Sequence, residues 1–162
     1  MRRIMTLLAI LFTILVVLTL CNKESDNRLT WESTVDEAIK KEFNRVGFGE
    51  IQRFKYEESI YILFRDNDLN NAYGVAKVET SSKGYRLDNT MGPVISPYVQ
   101  LSDKTELGTE LDIIAGNVYN KDVKKVRLVG TNKTYELEVF DGYYLGFNIP
   151  KGDYKVISVK AK

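Results

Sequence analysis

The side chains that most often carry enzymatic chemistry are nearly missing from this sequence. Histidine is absent, and the one cysteine, Cys21, lies near the N-terminus. That removes the commonest general base, the usual zinc ligand and the usual activator of a Ser or Cys nucleophile. It also leaves no disulfide and no thiolate in the body of the chain. No Ser-x-x-Lys or Gly-x-Ser-x-Gly arrangement offers a hydrolase without histidine.

Four polar or aromatic clusters remain as candidates. Asp66-Asn67-Asp68-Leu69-Asn70-Asn71 sets oxygen ligands at alternate positions, Asp66, Asp68 and Asn70, like the start of a calcium loop. An EF-hand needs Gly at its sixth place and a bidentate Glu at its twelfth, where this chain has Asn71 and Lys77. A polar hairpin loop is the plainer expectation. Glu57-Glu58 are neighbours that a strand would send to opposite faces, so a solvated turn is expected. Glu106, Glu110 and Asp112 form no recognisable acid–base pair. In Tyr143-Tyr144-Leu145-Gly146-Phe147-Asn148-Ile149, alternation sends Tyr143, Leu145, Phe147 and Ile149 to the core and leaves Tyr144 exposed. No cofactor is implied, and the body of the chain reads as non-enzymatic.

Composition limits the partners. The whole chain has 23 Lys+Arg against 22 Asp+Glu. The charges are interspersed, and no basic stripe could follow a phosphate backbone, which argues against nucleic acid. Plentiful aromatic and β-branched residues argue for a folded body.

The elements that must position these groups read as α+β to mainly β. Ser33 or Thr34 caps a helix whose apolar positions Val35, Ala38, Ile39, Phe43 and Val46 share a face, and Gly47 stops it. A meander of hairpins follows through Glu50–Tyr56, Ser59–Arg65, Ala72–Val78 and Tyr85–Leu87, so the helix packs on an antiparallel sheet. Met91-Gly92-Pro93 and Ser96-Pro97 break the pattern, and Val94 to Leu101 supplies at most an edge strand. Short strands then recur with turns every 8–12 residues, as in a β-sandwich. Asp141-Gly142 is the clearest hairpin turn. The expected division is 1–21 signal or anchor, 22–32 tether, 33–92 α+β unit and 93–162 small Ig-like β-sandwich.

The N-terminus is an export segment. Arg2-Arg3 precedes an uncharged run from Ile4 to Leu20, and polarity returns at Asn22. As a helix the run spans roughly 25 Å, short of the ~30 Å hydrocarbon core. Leu18-Thr19-Leu20-Cys21 resembles the bacterial lipoprotein signal, which implies lipidation of Cys21. Leu20 departs from the Gly, Ala or Ser usual before that cysteine. An uncleaved anchor and free secretion stay open as alternatives. The order of this cysteine, Thr34-Val35-Asp36-Glu37-Ala38-Ile39-Lys40, a strand meander, then Ala115-Gly116-Asn117-Val118 through Asp141-Gly142-Tyr143-Tyr144 resembles small uncharacterised lipoproteins of Gram-positive bacteria with Ig-like tails. The resemblance implies a protein held at the extracytoplasmic face of the cell membrane. The expected task is binding an envelope partner; an inhibitor or accessory subunit of an envelope enzyme and a carboxylate-based hydrolase are the alternatives.

Overall fold

A computed structural model describes residues 30–120 and 122–159. It is mostly β, with antiparallel sheets and one short helix, α1 (Val35–Val46). Thr34 caps α1, its hydroxyl accepting from the Glu37 amide at 3.2 Å, and Gly47 ends it in the left-handed region at φ 78°.

Ten strands follow: β1 (Phe48–Tyr56), β2 (Ser59–Asp66), β3 (Tyr73–Ser81), β4 (Gly84–Val94), β5 (Tyr98–Lys104), β6 (Glu110–Asn117), β7 (Lys125–Val129), β8 (Thr134–Glu138), β9 (Tyr143–Phe147) and β10 (Lys155–Val159). They form a four-stranded sheet, β1-β2-β3-β4, and two three-stranded sheets, β5-β6-β9 and β10-β7-β8. Every strand pair is antiparallel.

Packing stacks these as four layers. Ile39 and Phe43 of α1 cover Ile62, Phe64, Ala76, Val78 and Leu87 on one face of the four-stranded sheet. Tyr61, Leu63, Tyr73 and Val75 on its other face meet Leu111, Ile113, Ala115 and Leu145 of β6 and β9. Ile114 and Tyr144, on the far face of that second sheet, pack with Val126 and Leu128 of the third. Tyr61-Ile62-Leu63-Phe64 is therefore buried on consecutive positions, because both faces of β2 are covered. Each such side chain contributes about 1.5–3 kcal/mol by leaving water.

Three expectations change. Tyr144 is fully buried rather than exposed. Alternation assumes a sheet with one solvent face, and the β10-β7-β8 sheet covers the face Tyr144 occupies. Gly116 opposite makes room: a Cβ there would lie 2.3 Å from the Tyr144 ring. β4 runs on through Met91-Gly92-Pro93, with two register shifts, and the chain breaks at Ile95–Pro97. β4 is an edge strand, where proline is tolerated. Asp141-Gly142 does form a two-residue turn with both φ positive, and Phe140 and Tyr143 exchange backbone hydrogen bonds across it. The flanking strands then part, β8 to one sheet and β9 to another.

Candidate functional site

The strand directions give the molecule two ends. The chain comes in at the proximal end, where Glu32 bridges Tyr85 beside the β3–β4 turn and Trp31 lies under the Arg86 guanidinium at 4.7 Å. The β1–β2 and β5–β6 turns lie at this end too. The β2–β3, β4–β5, β6–β7 and β8–β9 connections lie at the distal end.

The densest cluster of titratable groups is proximal, in a seam between the first two sheets. Lys77 sits on β3 in line with Tyr73 and Val75, a charge on a core-facing row. Its ammonium lies 3.7 Å from Asp103 and 3.9 Å from Glu106 and donates to the Lys104 carbonyl. Tyr61 donates to Asp103 at 2.8 Å. Burial, then the adjacent Asp103 carboxylate, pushes the Tyr61 phenol well above the ordinary tyrosine value. Thr105 donates to Glu57 at 2.8 Å, and the Glu106 amide donates to Ser59 at 2.7 Å. Ser59 and Thr105 are themselves buried. These bonds clamp the β5–β6 turn onto the β1–β2 turn. Each acid faces a donor, so chemically the seam is a lock. A cavity of about 430 Å³ opens beside it, lined by Ser102, Asp103, Lys104 and Glu110.

Sequence reasoning missed this lock. The one local signal is Lys77 itself, a lone cation among Tyr73, Val75 and Val78. Its partners lie two strands further along. Of the acids considered as candidates, Glu57 and Glu106 join the seam. Glu58 pairs with Lys55 at 3.5 Å on the surface, and Asp112 accepts from Ser102 at 2.7 Å.

The distal end is built differently. Asp66 uses one carboxylate oxygen to accept from the Asp68 and Leu69 amides at 2.8 and 3.0 Å. That shapes the loop holding Asp68 and Asn70 as a turn. Among the described residues, no group of three or more His, Cys, Asp or Glu could hold a metal ion. The distal connections are tied to one another. Asn117 donates to the Asn71 carbonyl at 3.0 Å, and its amide donates to Pro97 at 3.2 Å. The Val118 amide reaches Gly142 at 2.7 Å, and Arg65 pairs with Asp141 at 2.9 Å. From this joined set project Leu69, Ile95 and Tyr119, exposed by 49%, 66% and 79%. They are three of the five large exposed apolar side chains among the described residues. Of the others, Leu107 lies on the proximal β5–β6 turn and Ile157 on β10.

Ile4–Leu20 and Cys21 lie outside the described residues. Among those described, no helix is long and apolar enough to cross a membrane. No family model, curated protein or solved structure matches the chain.

Proposed function

We propose that the chain is a membrane-tethered extracytoplasmic lipoprotein, non-enzymatic, that binds a protein partner of the cell envelope through its distal end. The observation that carries this is the polarity of the body. The first described residues, with Glu32 beside Tyr85, lie at one end, and Leu69, Ile95 and Tyr119 project from the other. Exposed apolar patches mark interaction sites on soluble proteins, and three of the five large exposed apolar side chains among the described residues fall at this one end. The best-furnished acid–base cluster spends its groups on holding two turns together, which favours binding over hydrolysis.

The strand order supports reading the second and third sheets as a small Ig-like sandwich. The chain pairs β5 with β6, crosses to β7, returns to β9 beside β6, and crosses again to β10 beside β7. Strands A, B and E against C and F follow the same path in an Ig domain. Such sandwiches present joined loops at one end as a binding surface.

Metabolic labelling with a palmitate analogue tests the tether. Label in the wild-type chain that disappears in Cys21→Ser is the expected result. Equal label in both chains overturns lipidation at Cys21.

A further inference from the structure

Sheet edges are the remaining unexplained surface. Their unpaired backbone groups invite another strand, and proteins usually blunt them with bulges, prolines or charges. Six strands are edges here: β1, β4, β5, β8, β9 and β10. Five are blunted. β1 carries a bulge between Glu50 and Gln52. β4 has two register shifts and Gly92-Pro93. β5 turns Asp103 inward to Tyr61. β8 sets Glu136 and Glu138 on its outer face, so a self-pair centred on Glu136 would set that carboxylate against its own copy. β9 contains Gly146, and Phe140 bridges its first residue.

β10 has none of these devices. Its register with β7 is regular over all five residues, from Lys155↔Val129 to Val159↔Lys125. It holds no proline and no glycine, and Lys155 is its one charge. Val156 packs inward against the sandwich core, whereas Ile157 faces out and is 40% exposed. Among the described residues, nothing pairs with its other side.

We infer that β10 is a self-pairing edge: two copies of the chain join their β10 strands antiparallel about a two-fold axis at Ile157, making one six-stranded sheet of two β10-β7-β8 sheets. The sequence fits a second copy of itself. Centred on Ile157, an antiparallel pair sets Ile157 against its own copy, Val156 against Ser158 and Lys155 against Val159. The exposed isoleucines cover each other. The two Lys155 ammonium groups fall at opposite ends of the ribbon, so no like charges meet. Such a contact is isologous and closed, so it stops at a dimer. Five-residue strands bury less than the ~1,200 Å² of stable complexes, so the pair is weak and needs a high local concentration. The inference does not rest on the distal-end reading, because it uses the free edge of β10 and none of Leu69, Ile95 and Tyr119.

The test uses the full-length chain in its own membrane with Cys21 kept, and the parent chain without an added thiol sets the baseline for any dimer formed through Cys21. Opposed residues on paired strands have Cβ atoms ~4.5–5.5 Å apart, close enough for a disulfide to form with slight adjustment. Under mild oxidation, Ile157→Cys should form a disulfide-linked dimer severalfold more than Glu136→Cys on the β8 edge. Lys155→Cys should crosslink to Val159→Cys in a mixture but not to itself. Ile157→Lys in the wild-type background should lower co-purification of two differently tagged copies severalfold, with the unfolding midpoint unchanged. Dimer from Ile157→Cys no greater than from Glu136→Cys, or Lys155→Cys linking to itself as readily, overturns the self-pairing. So does an Ile157→Cys adduct found only with a different protein.

Discussion

The proximal and distal ends use their side chains in opposite ways. At the proximal end, Lys77, Asp103, Glu106, Tyr61, Thr105 and Glu57 answer one another across two sheets. At the distal end, polar groups such as Asp66 and Asn117 shape and join the loops, while Leu69, Ile95 and Tyr119 are left to solvent. The difference separates two kinds of conspicuous residue. A dense set of titratable groups is used in holding the fold, and a sparse set of apolar ones is left exposed. The second set is the better pointer to function.

The contrast can be broken at the proximal end first. Lys77→Ala leaves two carboxylates facing each other in a seam where the lysine side chain is only 14% exposed. It should lower the unfolding free energy by about 2 kcal/mol in urea melts. Tyr61→Phe removes the hydroxyl that Asp103 accepts from and should cost about 1–2 kcal/mol. Equal stability in both variants would mean the seam is surface decoration.

Alkaline titration sharpens the same point. Burial pushes Tyr61, Tyr73 and Tyr144 up, with Asp103, Tyr144 and Tyr98 respectively adding to it. A raised phenol favours the fold fully below its unfolded value near 10, and that favour is lost as pH rises above it. Fewer than the chain's ten tyrosines should therefore ionise in the folded state, the rest appearing together with unfolding. Smooth ionisation of all ten before unfolding would contradict the packing. The smallest effect belongs to the distal end. Leu69→Ser, Ile95→Ser and Tyr119→Ser should each change stability by less than about 0.5 kcal/mol.

Much of this architecture can be read from the chain, for identifiable reasons. The helix carries its own caps in Thr34 and Gly47, and β7 and β8 alternate cleanly between turns. The errors have separate causes. Alternation describes a sheet with a wet face, and here the middle sheet is covered on both sides, so Tyr144 is misplaced by a rule that works elsewhere. Gly92-Pro93 looked like a break because proline is barred from central strands, but β4 is at an edge. Asp141-Gly142 dictates a turn and says nothing of which sheet each flank joins. The Lys77 seam depends on packing between strands far apart in the chain, which no local pattern encodes. The distal surface is likewise invisible until the folded loops are brought together.

The central claim is that the distal end, and not the proximal one, meets a partner. Photo-crosslinkers placed singly at Tyr119 and at Leu107, in the full-length chain in its native membrane, test it directly. The account predicts one defined protein adduct from Tyr119 that is lost when Leu69→Ser and Ile95→Ser are added, with no such adduct from Leu107. The same adduct from both positions, or one from Tyr119 that survives both substitutions, would contradict it.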